Sequence, residues 1–444
     1  LLIGNGRLFT RDAENTYVPD GCVAADGALI REIGDTRTLR ETYPQADFLD
    51  AKGGVILPGF INAHNHIYSA FARGLTVKGP ARRTFLEILD GQWWAIDRKL
   101  TNADTRSSAD VFLIECVENG VTTVFDHHAS YGEVPGSLFA IMESAKTIGV
   151  KCCLCYEVSD REGDTKMRQA AQENVDFIRW TRGDTGGQFA GVMGLHAQFT
   201  LSDTTLAHCT GLNPAGAGYH IHLAEGRYDV EQCLKEHGVR PTYRLRDFGI
   251  LGDHTILGHC THIDDDEMDV IREKDCFVAH NPESNMGNAI GCPPVMRMAQ
   301  KGLHLGLGTD GYTNDMIESY KVGNLLHKHE LRDPTAAWSE IPQMLFTGNR
   351  ELAARFFETP AGILAPGAAA DVVVMDYDPP TPMDAGNLNG HILFGLNGKC
   401  ARHTVIAGQI RMKDREIQGV DKAALYAHAR ERARALGISV NEGK

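Results

Sequence analysis

The chain has 444 residues, of which 43% are hydrophobic and 23% are charged. This length suits a (β/α)₈ barrel of about 250 residues that carries a smaller accessory domain. The net charge of -14 comes without a basic stripe, so we expect no nucleic-acid partner. No run approaches the ~18 apolar residues of a membrane span, and we expect no membrane partner.

The cysteines argue for a reducing compartment. All 11 are scattered, and none form the repeated CxxC pairs of zinc fingers. The sequence also shows no signal-peptide pattern and no N-glycosylation sequon, so we expect a cytoplasmic protein. Cys152, Cys153 and Cys155 share one predicted strand, where core packing is their expected role.

Both ends of the chain alternate apolar and polar residues between Gly-rich turns, a pattern typical of short strands. These segments lie around Leu2, at Cys22 to Ala25, at Leu29 to Ile33, at Ala370 to Asp376 and at Thr404 to Met412. We predict that residues 1–57 and 364–420 form one composite β-sandwich domain. Residues 421–444 are predicted as a C-terminal helix and tail.

The middle of the chain alternates short β-rich runs with longer helical patterns, which is typical of α/β folds with a parallel sheet. The runs are Val55 to Ala63, Val121 to Asp126, Val150 to Val158, Gln188 to His196, Tyr219 to Ala224, His254 to His259, Cys276 to His280, and His304 to Asp310. Eight such runs predict a (β/α)₈ TIM barrel over residues 58–363.

Metal-ligand residue types follow most of these strands. They are His64 and His66, Asp126 with His127 and His128, His196, His222, His259, His280, and Asp310. Barrel enzymes carry their chemistry at the carboxyl ends of strands, whereas barrel interiors are built from branched aliphatic residues. The pattern therefore predicts an active site at that end of the barrel.

His64 and His66 form an HxH pair. Alternate residues of a strand point to the same side, so two imidazoles two positions apart can reach one cation. Alone, such a pair is often a hydrogen-bonded core feature. His222 and Asp310, from the fifth and eighth strands, can supply the remaining ligands of a catalytic metal. Asp310 can also serve as a helix N-cap.

Glu225 and His259 are the candidate catalytic residues beside this metal, together with Asp310. Glu225 follows His222 closely, where its carboxylate can move a proton between water and a leaving group. The alternative for Glu225 is a solvated loop carboxylate. His259 can hold the attacking water or be a satisfied core histidine.

We expect the substrate to contact His196 and the long loop after the first strand. That loop offers Tyr68, Arg73, Gln92 and Trp93, with Trp94 beside them, for stacking and hydrogen bonds. The two tryptophans can instead anchor a lid or an oligomer contact. For His127, His128 and His280 the sequence leaves structural and functional roles open.

Several other functions lose their sequence basis. The chain has no HExxH, no P-loop and no PCxxC signature. Gly306, Gly308 and Gly311 match a dinucleotide-binding pattern only formally, because the pattern follows the last strand and encloses Asp310.

The motifs resemble the amidohydrolase superfamily, and specifically its aminohydrolase branch of cytosine and guanine deaminases and triazine hydrolases. The resemblance spans nearly the whole chain. It rests on Leu57 to His66, His222 to Glu225, Gly258 to Cys260, His280 to Met286, Gly306 to Gly311, and Gly362 to Asp371.

The resemblance implies a divalent metal, Zn²⁺ or else Fe²⁺, held by His64, His66, His222 and Asp310. It makes Glu225 the proton shuttle and places His259 beside the attacking hydroxide. The bridging lysine of two-metal members is missing from the fourth strand, which favours one ion, although Glu157 on the third strand could bridge a second.

Hydrolytic deamination of a purine, pyrimidine or triazine-like ring is the predicted activity. One rival is ring opening of a cyclic amide, as in hydantoinase-like or imidazolonepropionase-like enzymes. The other is a catalytically idle scaffold. We expect a small heterocyclic substrate and a homo-oligomer.

Overall fold

A computed structural model describes residues 1–442. The strands are β1 Leu2–Phe9, β2 Tyr17–Asp26, β3 Leu29–Asp35, β4 Phe48–Asp50, β5 Val55–Pro58, β6 Phe60–Asn65, β7 Val121–His128, β8 Lys151–Tyr156, β9 Phe189–Gly191, β10 Met193–Ala197, β11 Tyr219–Leu223, β12 Thr255–His259, β13 Phe277–His280, β14 His304–Leu307, β15 Val372–Met375, β16 Ala401–Ile406, β17 Gln409–Lys413 and β18 Glu416–Ile417.

The helices connect these strands and cover the barrel. They are α1 Thr36–Thr42, α2 Phe85–Ile88, α3 Trp94–Asp97, α4 Asn102–Glu118, α5 Ser137–Ile148, α6 Asp164–Gly183, α7 Asp203–Leu212, α8 Arg227–His237, α9 Pro241–Asp247, α10 Asp265–Glu273, α11 Pro282–Gly287, α12 Val295–Gln300, α13 Met316–Leu331, α14 Glu340–Pro342, α15 Asn349–Phe356, α16 Leu388–Phe394 and α17 Lys422–Val440. No helix within residues 1–442 is long and apolar enough to cross a membrane.

The two ends of the chain share one nine-stranded sheet. Its order is β18-β17-β16-β15-β5-β1-β2-β3, with β4 paired to the free part of β1. Strand β5 joins the two ends, because it runs parallel to β1 and antiparallel to β15. Leu8, Ile56 and Val372 are fully buried in the core of this sheet.

The barrel consists of two parallel sheets that meet edge to edge. Strands β6 to β9 form one sheet, and β10 to β14 form the other. An isolated parallel bridge between Asn65 and Asp310 closes the ring between the first and last strands. The backbone N–H groups of Thr309 and Asp310 also donate to the carbonyl oxygen of His64, at 2.9 and 3.0 Å. The predicted α/β barrel fold with a terminal sheet is confirmed.

Two predicted strands divide in the structure. The first run breaks at Gly59, where Val55–Pro58 stays in the terminal sheet and Phe60–Asn65 begins the barrel. A Cβ atom at Gly59 would collide with the side chain of Thr122, so glycine permits this close crossing. The fourth run divides at Val192, with β9 paired to β8 and β10 paired to β11. Hydropathy could not locate either break, because both halves are buried.

Gly218 is expected to be intolerant of substitution for a steric reason. It precedes β11 with φ +78°, and a Cβ atom there would strike the carbonyl oxygen of His254. Gly238 ends α8 with a similar φ of +73° but has open space around it. Gly238→Ala should cost about 1 kcal/mol for the left-handed backbone alone. Gly218→Ala should cost about 1–3 kcal/mol more from overpacking.

Thermal unfolding of the two variants tests this difference. Gly218→Ala should lower Tm clearly more than Gly238→Ala. Equal losses would mean that the approach of Gly218 to His254 relaxes freely.

Candidate metal centre and active site

Four candidate ligands converge at the carboxyl end of the barrel. His64 and His66 come from the end of β6, His222 from β11, and Asp310 from the turn after β14. The Nε2 atom of His66 lies 2.7 Å from Asp310 Oδ1 and 3.3 Å from His222 Nε2. The Nε2 atom of His64 lies 3.6 Å from the same Asp310 oxygen.

Backbone carbonyls fix the orientation of two of these rings. The Nδ1 atom of His66 lies 2.5 Å from the carbonyl oxygen of His127, and Nδ1 of His222 lies 2.8 Å from that of His196. A carbonyl only accepts, so both Nδ1 atoms carry the proton and donate it. In the neutral rings, both Nε2 atoms then point a lone pair at the centre, as in a histidine held for metal binding.

The third ring is fixed by another histidine. The Nδ1 atom of His64 lies 2.8 Å from Nε2 of His220, and burial lowers the pKa of His220 well below its usual range. His220 is therefore neutral and can accept from His64 Nδ1–H. The Nε2 atom of His64 is buried without a hydrogen-bond partner among the described residues.

This arrangement suits a cation. Burial lowers the pKa of His66, but Asp310 outweighs that effect and raises it to about 9. A proton on His66 would give Asp310 a hydrogen bond from that ring alone. It would leave the Nε2 atom of His64, which faces the same carboxylate, without a partner. A tetrahedral ion with bonds of about 2.1 Å holds its nitrogen ligands about 3.3–3.4 Å apart, which matches the separation of His66 and His222. The three nitrogens and the carboxylate therefore fit a divalent metal ion.

Strained backbone marks the same turns. Ala224, His259 and Asp310 adopt left-handed conformations with φ of 47°, 69° and 52°. Non-glycine residues rarely adopt this region, and such strain clusters at functional sites. At these positions the chain turns sharply at the end of a strand, so that Glu225, His259 and Asp310 project toward one point.

Glu225 and His259 lie beside the four candidate ligands. The Nδ1 atom of His259 lies 3.1 Å from Asn285 Oδ1, and its Nε2 faces Glu225 Oε1 at 3.6 Å and Asp310 Oδ2 at 3.9 Å. These last two separations exceed a direct hydrogen bond, and they suit three groups that share one small polar molecule. Burial, reinforced by Asp310, raises the pKa of Glu225 well above its usual range, so this carboxyl group can carry a proton.

A pocket opens above these groups, and its upper wall is aromatic. Tyr68, Phe85, Trp93 and Trp94 line it together with Leu89. They come from the segment between β6 and α4, where Leu89–Trp93 forms a wide π-helical turn between α2 and α3. The pocket is therefore lined by aromatic side chains as well as by the polar groups of the site.

The predicted substrate contacts divide into two groups. Tyr68, Trp93 and His196 line the pocket. The His196 ring packs 5.8 Å from the Trp94 ring, and its Nδ1 lies 2.8 Å from Thr200 Oγ1.

Arg73 and Gln92 instead line a neighbouring cavity. Arg73 makes two hydrogen bonds to Glu115, at 2.6 and 2.8 Å. The carboxylate of Glu115 therefore holds the guanidinium away from the pocket above the candidate ligands.

Glu157 forms part of the pocket wall and is held by an ion-pair chain. Its Oε1 accepts a hydrogen bond from Arg161 Nη2 at 3.2 Å, and Arg161 also binds both oxygens of Asp97 at 2.9 and 2.6 Å. Its Oε2 lies 3.6 Å from Nδ1 of His127. One carboxylate oxygen of Glu157 is thus already bound to the Arg161 guanidinium. Only its other oxygen remains to coordinate a second metal ion.

The remaining histidines take different positions. The Nε2 atom of His127 lies 3.0 Å from the carbonyl oxygen of Leu195, and its ring lies 4.5 Å from the ring of His222. His128 Nε2 meets Ser130 Oγ at 3.0 Å. His280 pairs with Nε2 of His327 at 3.0 Å. Of the three, His127 lies against the candidate ligands.

Some residues of the site were not predicted from the sequence. They are His220, Asn285, Phe85, Leu89, Asn288, Asp97 and Arg161. His220 carried a usable signal, because it lies two positions before His222 on the same face of a strand. The Arg161–Asp97 pair had none, because the two residues are far apart in the chain.

Glu283, near the start of α11, is expected to make the stability of the fold depend on pH. Its Oε2 accepts from Ser319 Oγ at 3.0 Å, and its Oε1 is buried without a partner in the described chain. Burial raises the pKa of Glu283 from 4.5 to about 8. The folded state thus keeps a proton that the unfolded state loses first, and stability is lost as the pH rises from 4.5 to 8.

Glu283→Gln should remove this loss. Its Tm should exceed that of the parent by several degrees at pH 9 and approach it at pH 5, whereas Glu330→Gln, at an exposed position of α13, should follow the parent throughout. A constant difference between Glu283→Gln and the parent over this range would contradict the predicted ionisation.

The fold and the site together define a (β/α)₈-barrel hydrolase with a metal-binding His/Asp group. The chain belongs to the amidohydrolase family, whose profile matches residues 55–411. It is therefore a hydrolase that acts on carbon–nitrogen bonds, as the resemblance predicted.

Relatives match along almost the whole chain. A 5-methylthioadenosine/S-adenosylhomocysteine deaminase of Syntrophomonas wolfei is 28% identical over 98% of this chain and 99% of the relative. A protein of the same name from Thermococcus onnurineus is 30% identical over 94% of this chain and 95% of its own length. The crystal structure of an adenosine deaminase from Xanthomonas campestris, with bound zinc, superposes with a TM-score of 0.85, at 21% identity and 98% coverage of both chains.

Proposed function

We propose that this protein binds one Zn²⁺ ion through His64, His66, His222 and Asp310 and hydrolyses an exocyclic C–N bond of an aminated nitrogen heterocycle, with release of ammonia. The observation that carries the proposal is the convergence of these four groups, three of which, His66, His222 and Asp310, line a pocket that Glu225 and four aromatic side chains also line. The names of the relatives, which are deaminases of adenosine-type compounds, support the same reaction.

When bound, such an ion lowers the pKa of a coordinated water toward neutrality and supplies a nucleophile at physiological pH. A donor set of imidazole and carboxylate suits zinc. Iron(II) is the alternative ion for these ligands.

Glu225 is the proposed proton shuttle. As a carboxylate it accepts one proton of the attacking water and gives it to the ring nitrogen. It then accepts the proton of the newly formed hydroxyl group and gives it to the departing amine, which leaves as ammonia while the carbonyl forms. A group with this task must be able to hold a proton near neutral pH. The raised pKa of Glu225, caused first by burial, fits that requirement.

His259 and Asp310 orient the attacking water. Asn285 accepts from Nδ1–H of His259, so Nε2 is an acceptor that faces Glu225 and Asp310. Acceptors placed around one water fix the direction of its lone pair, and this positioning lowers the entropic part of the barrier.

The aromatic wall positions the ring. Tyr68, Phe85, Trp93 and Trp94 offer flat faces to a planar heterocycle above the metal ligands. A purine, pyrimidine or triazine-like ring suits such a wall, and stacking excludes water from the reacting carbon.

Elemental analysis and an ammonia-release screen with amino-heterocycles test the proposal together. We expect about one zinc per chain and release of ammonia from at least one purine, pyrimidine or triazine. Consumption of a cyclic amide with ring opening and no ammonia would replace deamination by the hydantoinase-like reaction. Absence of any turnover by metal-loaded protein would favour the idle scaffold.

The cellular setting is also a proposal. We place the protein in the cytoplasm as a homo-oligomer that acts on small molecules and does not bind nucleic acid. The net charge of -14 without a basic stripe supports the last point. Light scattering of the purified chain measures the oligomeric state.

A further inference from the structure

Helix α17 packs against the segment that carries the aromatic side chains of the pocket. This segment joins β6 to α4, and its residues Tyr68 and Trp93 line the pocket. The proposed reaction uses no residue of α17. The contacts between α17 and the segment nevertheless give this helix a defined relation to the active site.

One face of α17 is apolar and buried. Ala429, Leu436 and Val440 lie on the same side of the helix, because they are spaced seven and four residues apart. They belong to one buried cluster with Tyr68, and Trp93 packs against that cluster. Two residues that line the pocket thus rest on an apolar core that α17 helps to build.

Polar contacts fix α17 on α4. Arg432 Nε donates to Asp104 Oδ1 at 2.8 Å, and Arg432 Nη2 donates to Thr101 Oγ1 at 3.1 Å. Lys422 forms an ion pair with Glu118 at the other end of α4. Most residues of α4 are buried, so α17 is attached to a well-packed part of the barrel.

The part of the segment next to α17 has little hydrogen bonding of its own. Among the described residues, the backbone of residues 76–83 makes no hydrogen bond to another backbone group. Side chains hold it instead. Arg82 Nη2 donates to the carbonyl oxygens of Val77 and Gly91, at 2.9 and 2.6 Å. The position of residues 76–83 therefore depends on a few side-chain contacts.

Asn441, the residue after α17, makes two of these contacts. Its Oδ1 accepts from the backbone N–H of Lys78 at 2.7 Å, and its Nδ2 donates to the carbonyl oxygen of Thr76 at 2.8 Å. Nδ2 also donates to the carbonyl oxygen of Gly437 in α17, at 2.8 Å. Only this orientation of the amide satisfies all three partners. Asn441 thus ties the backbone on both sides of Val77 to the end of the helix.

The chain turns immediately after these contacts. Gly79 has a φ of +148°, which favours glycine, and a Cβ atom there would meet nothing within 4 Å. Val77, two residues earlier, is only 5% exposed and belongs to the same buried cluster as Leu436 and Val440. Residues 79–96 therefore extend from a point that α17 and Asn441 hold in place.

We propose that Asn441 is a positioning residue of the active site: it fixes one end of residues 79–96, whose side chains Phe85, Leu89, Trp93 and Trp94 line the pocket. Asp97, which Arg161 binds at 2.9 and 2.6 Å, fixes the other end. The proposal rests on the proposed function, because it takes this pocket as the binding site of the substrate ring.

Asn441→Ala removes both contacts to the segment. The aromatic side chains then lose one of their two fixed ends, and the substrate has to order them when it binds. A cost of this kind appears in binding, so KM should rise. The kcat should stay nearly constant, because Asn441 touches neither the proposed metal ligands nor Glu225. Asn441→Asp keeps the acceptor for Lys78 but loses the donor to Thr76, and its effect should be intermediate.

Asn213→Ala is the matched control. Asn213 also follows a helix, α7, and its Nδ2 donates to the backbone carbonyl oxygen of Gly218 at 3.0 Å. It lies before β11, at the end of the barrel opposite the proposed metal ligands. Its loss therefore removes a comparable contact without touching the pocket.

Two measurements on the full-length, metal-loaded chain test the proposal. Hydrogen exchange followed by mass spectrometry should be at least about threefold faster over residues 85–97 in Asn441→Ala than in the parent. With an amino-heterocycle that the parent deaminates, KM should rise about fivefold or more, while kcat stays within about twofold and the metal content is unchanged. Asn213→Ala should change neither the exchange of residues 85–97 nor KM.

Unchanged exchange over residues 85–97, or an unchanged KM, would make Asn441 a helix cap only and overturn the proposal. Equal effects of Asn213→Ala would also overturn it, because general loss of stability would then explain them. Failure of the proposed function looks different. The parent would then release no ammonia from any amino-heterocycle, whereas exchange over residues 85–97 would still be faster in Asn441→Ala.

Discussion

Replacement of Glu225 by glutamine is expected to lower kcat by about 10²–10⁴-fold, the range that a positioned acid–base group contributes. Glutamine keeps the shape of the side chain but cannot accept and return a proton. Metal content should stay near that of the parent, because Glu225 is not among the four proposed ligands. Ammonia release in steady state, with elemental analysis of the same preparation, measures both quantities.

Glu231→Gln provides the control for this variant. Glu231 lies on the exposed side of α8, the helix that follows Glu225, so its loss should leave kcat unchanged. Full activity of Glu225→Gln would exclude Glu225 as the proton shuttle. Loss of metal along with activity would instead make Glu225 a ligand.

Replacement of His64 by alanine should abolish both metal binding and activity. Changes to residues that merely orient ligands weaken metal affinity by about 10–100-fold, and loss of a ligand itself should exceed that. The stabilisation that added zinc gives to Tm should also be lost, because an ion stabilises only the state that binds it. Elemental analysis and thermal unfolding with and without zinc measure these effects.

His304→Ala is the matched control for His64→Ala. His304 begins β14, at the opposite end of the strand that leads to Asp310, and its side chain is 39% exposed. It should keep the metal and the zinc-dependent rise in Tm. Normal zinc content in His64→Ala would remove His64 from the proposed ligands.

The barrel and the convergence of the candidate ligands could be predicted from the sequence, because parallel strands bring their carboxyl ends together. His64, His66, His222 and Asp310 each lie at or just beyond the carboxyl end of a strand, so their convergence depends on topology more than on side-chain detail. The strand breaks at Gly59 and Val192 could not be found in the same way. A buried strand has the same hydrophobic sequence pattern whether its partner strand lies in the barrel or in the terminal sheet.

The substrate side of the site was less predictable for a different reason. Arg73 and Gln92 belong to the loop that was expected to contact substrate, but pairing with Glu115 holds Arg73 elsewhere. Phe85 and Leu89 face the pocket because of a wide helical turn that no sequence pattern indicated. Loop conformation depends on many long-range contacts, and hydropathy does not record them.

The junction between β6 and β14 also links metal binding to the integrity of the ring. The Asn65–Asp310 bridge, a few backbone hydrogen bonds and the hydrogen bond from Asn62 Nδ2 to Thr309 Oγ1 at 2.7 Å join the first and last barrel strands. The proposed ligands His64, His66 and Asp310 come from both sides of that junction. A metal ion bound by these ligands would connect two segments that lie far apart in the sequence. Hydrogen exchange of the amides of Thr309 and Asp310 should therefore slow when the metal binds, which makes these two amides local reporters of loading.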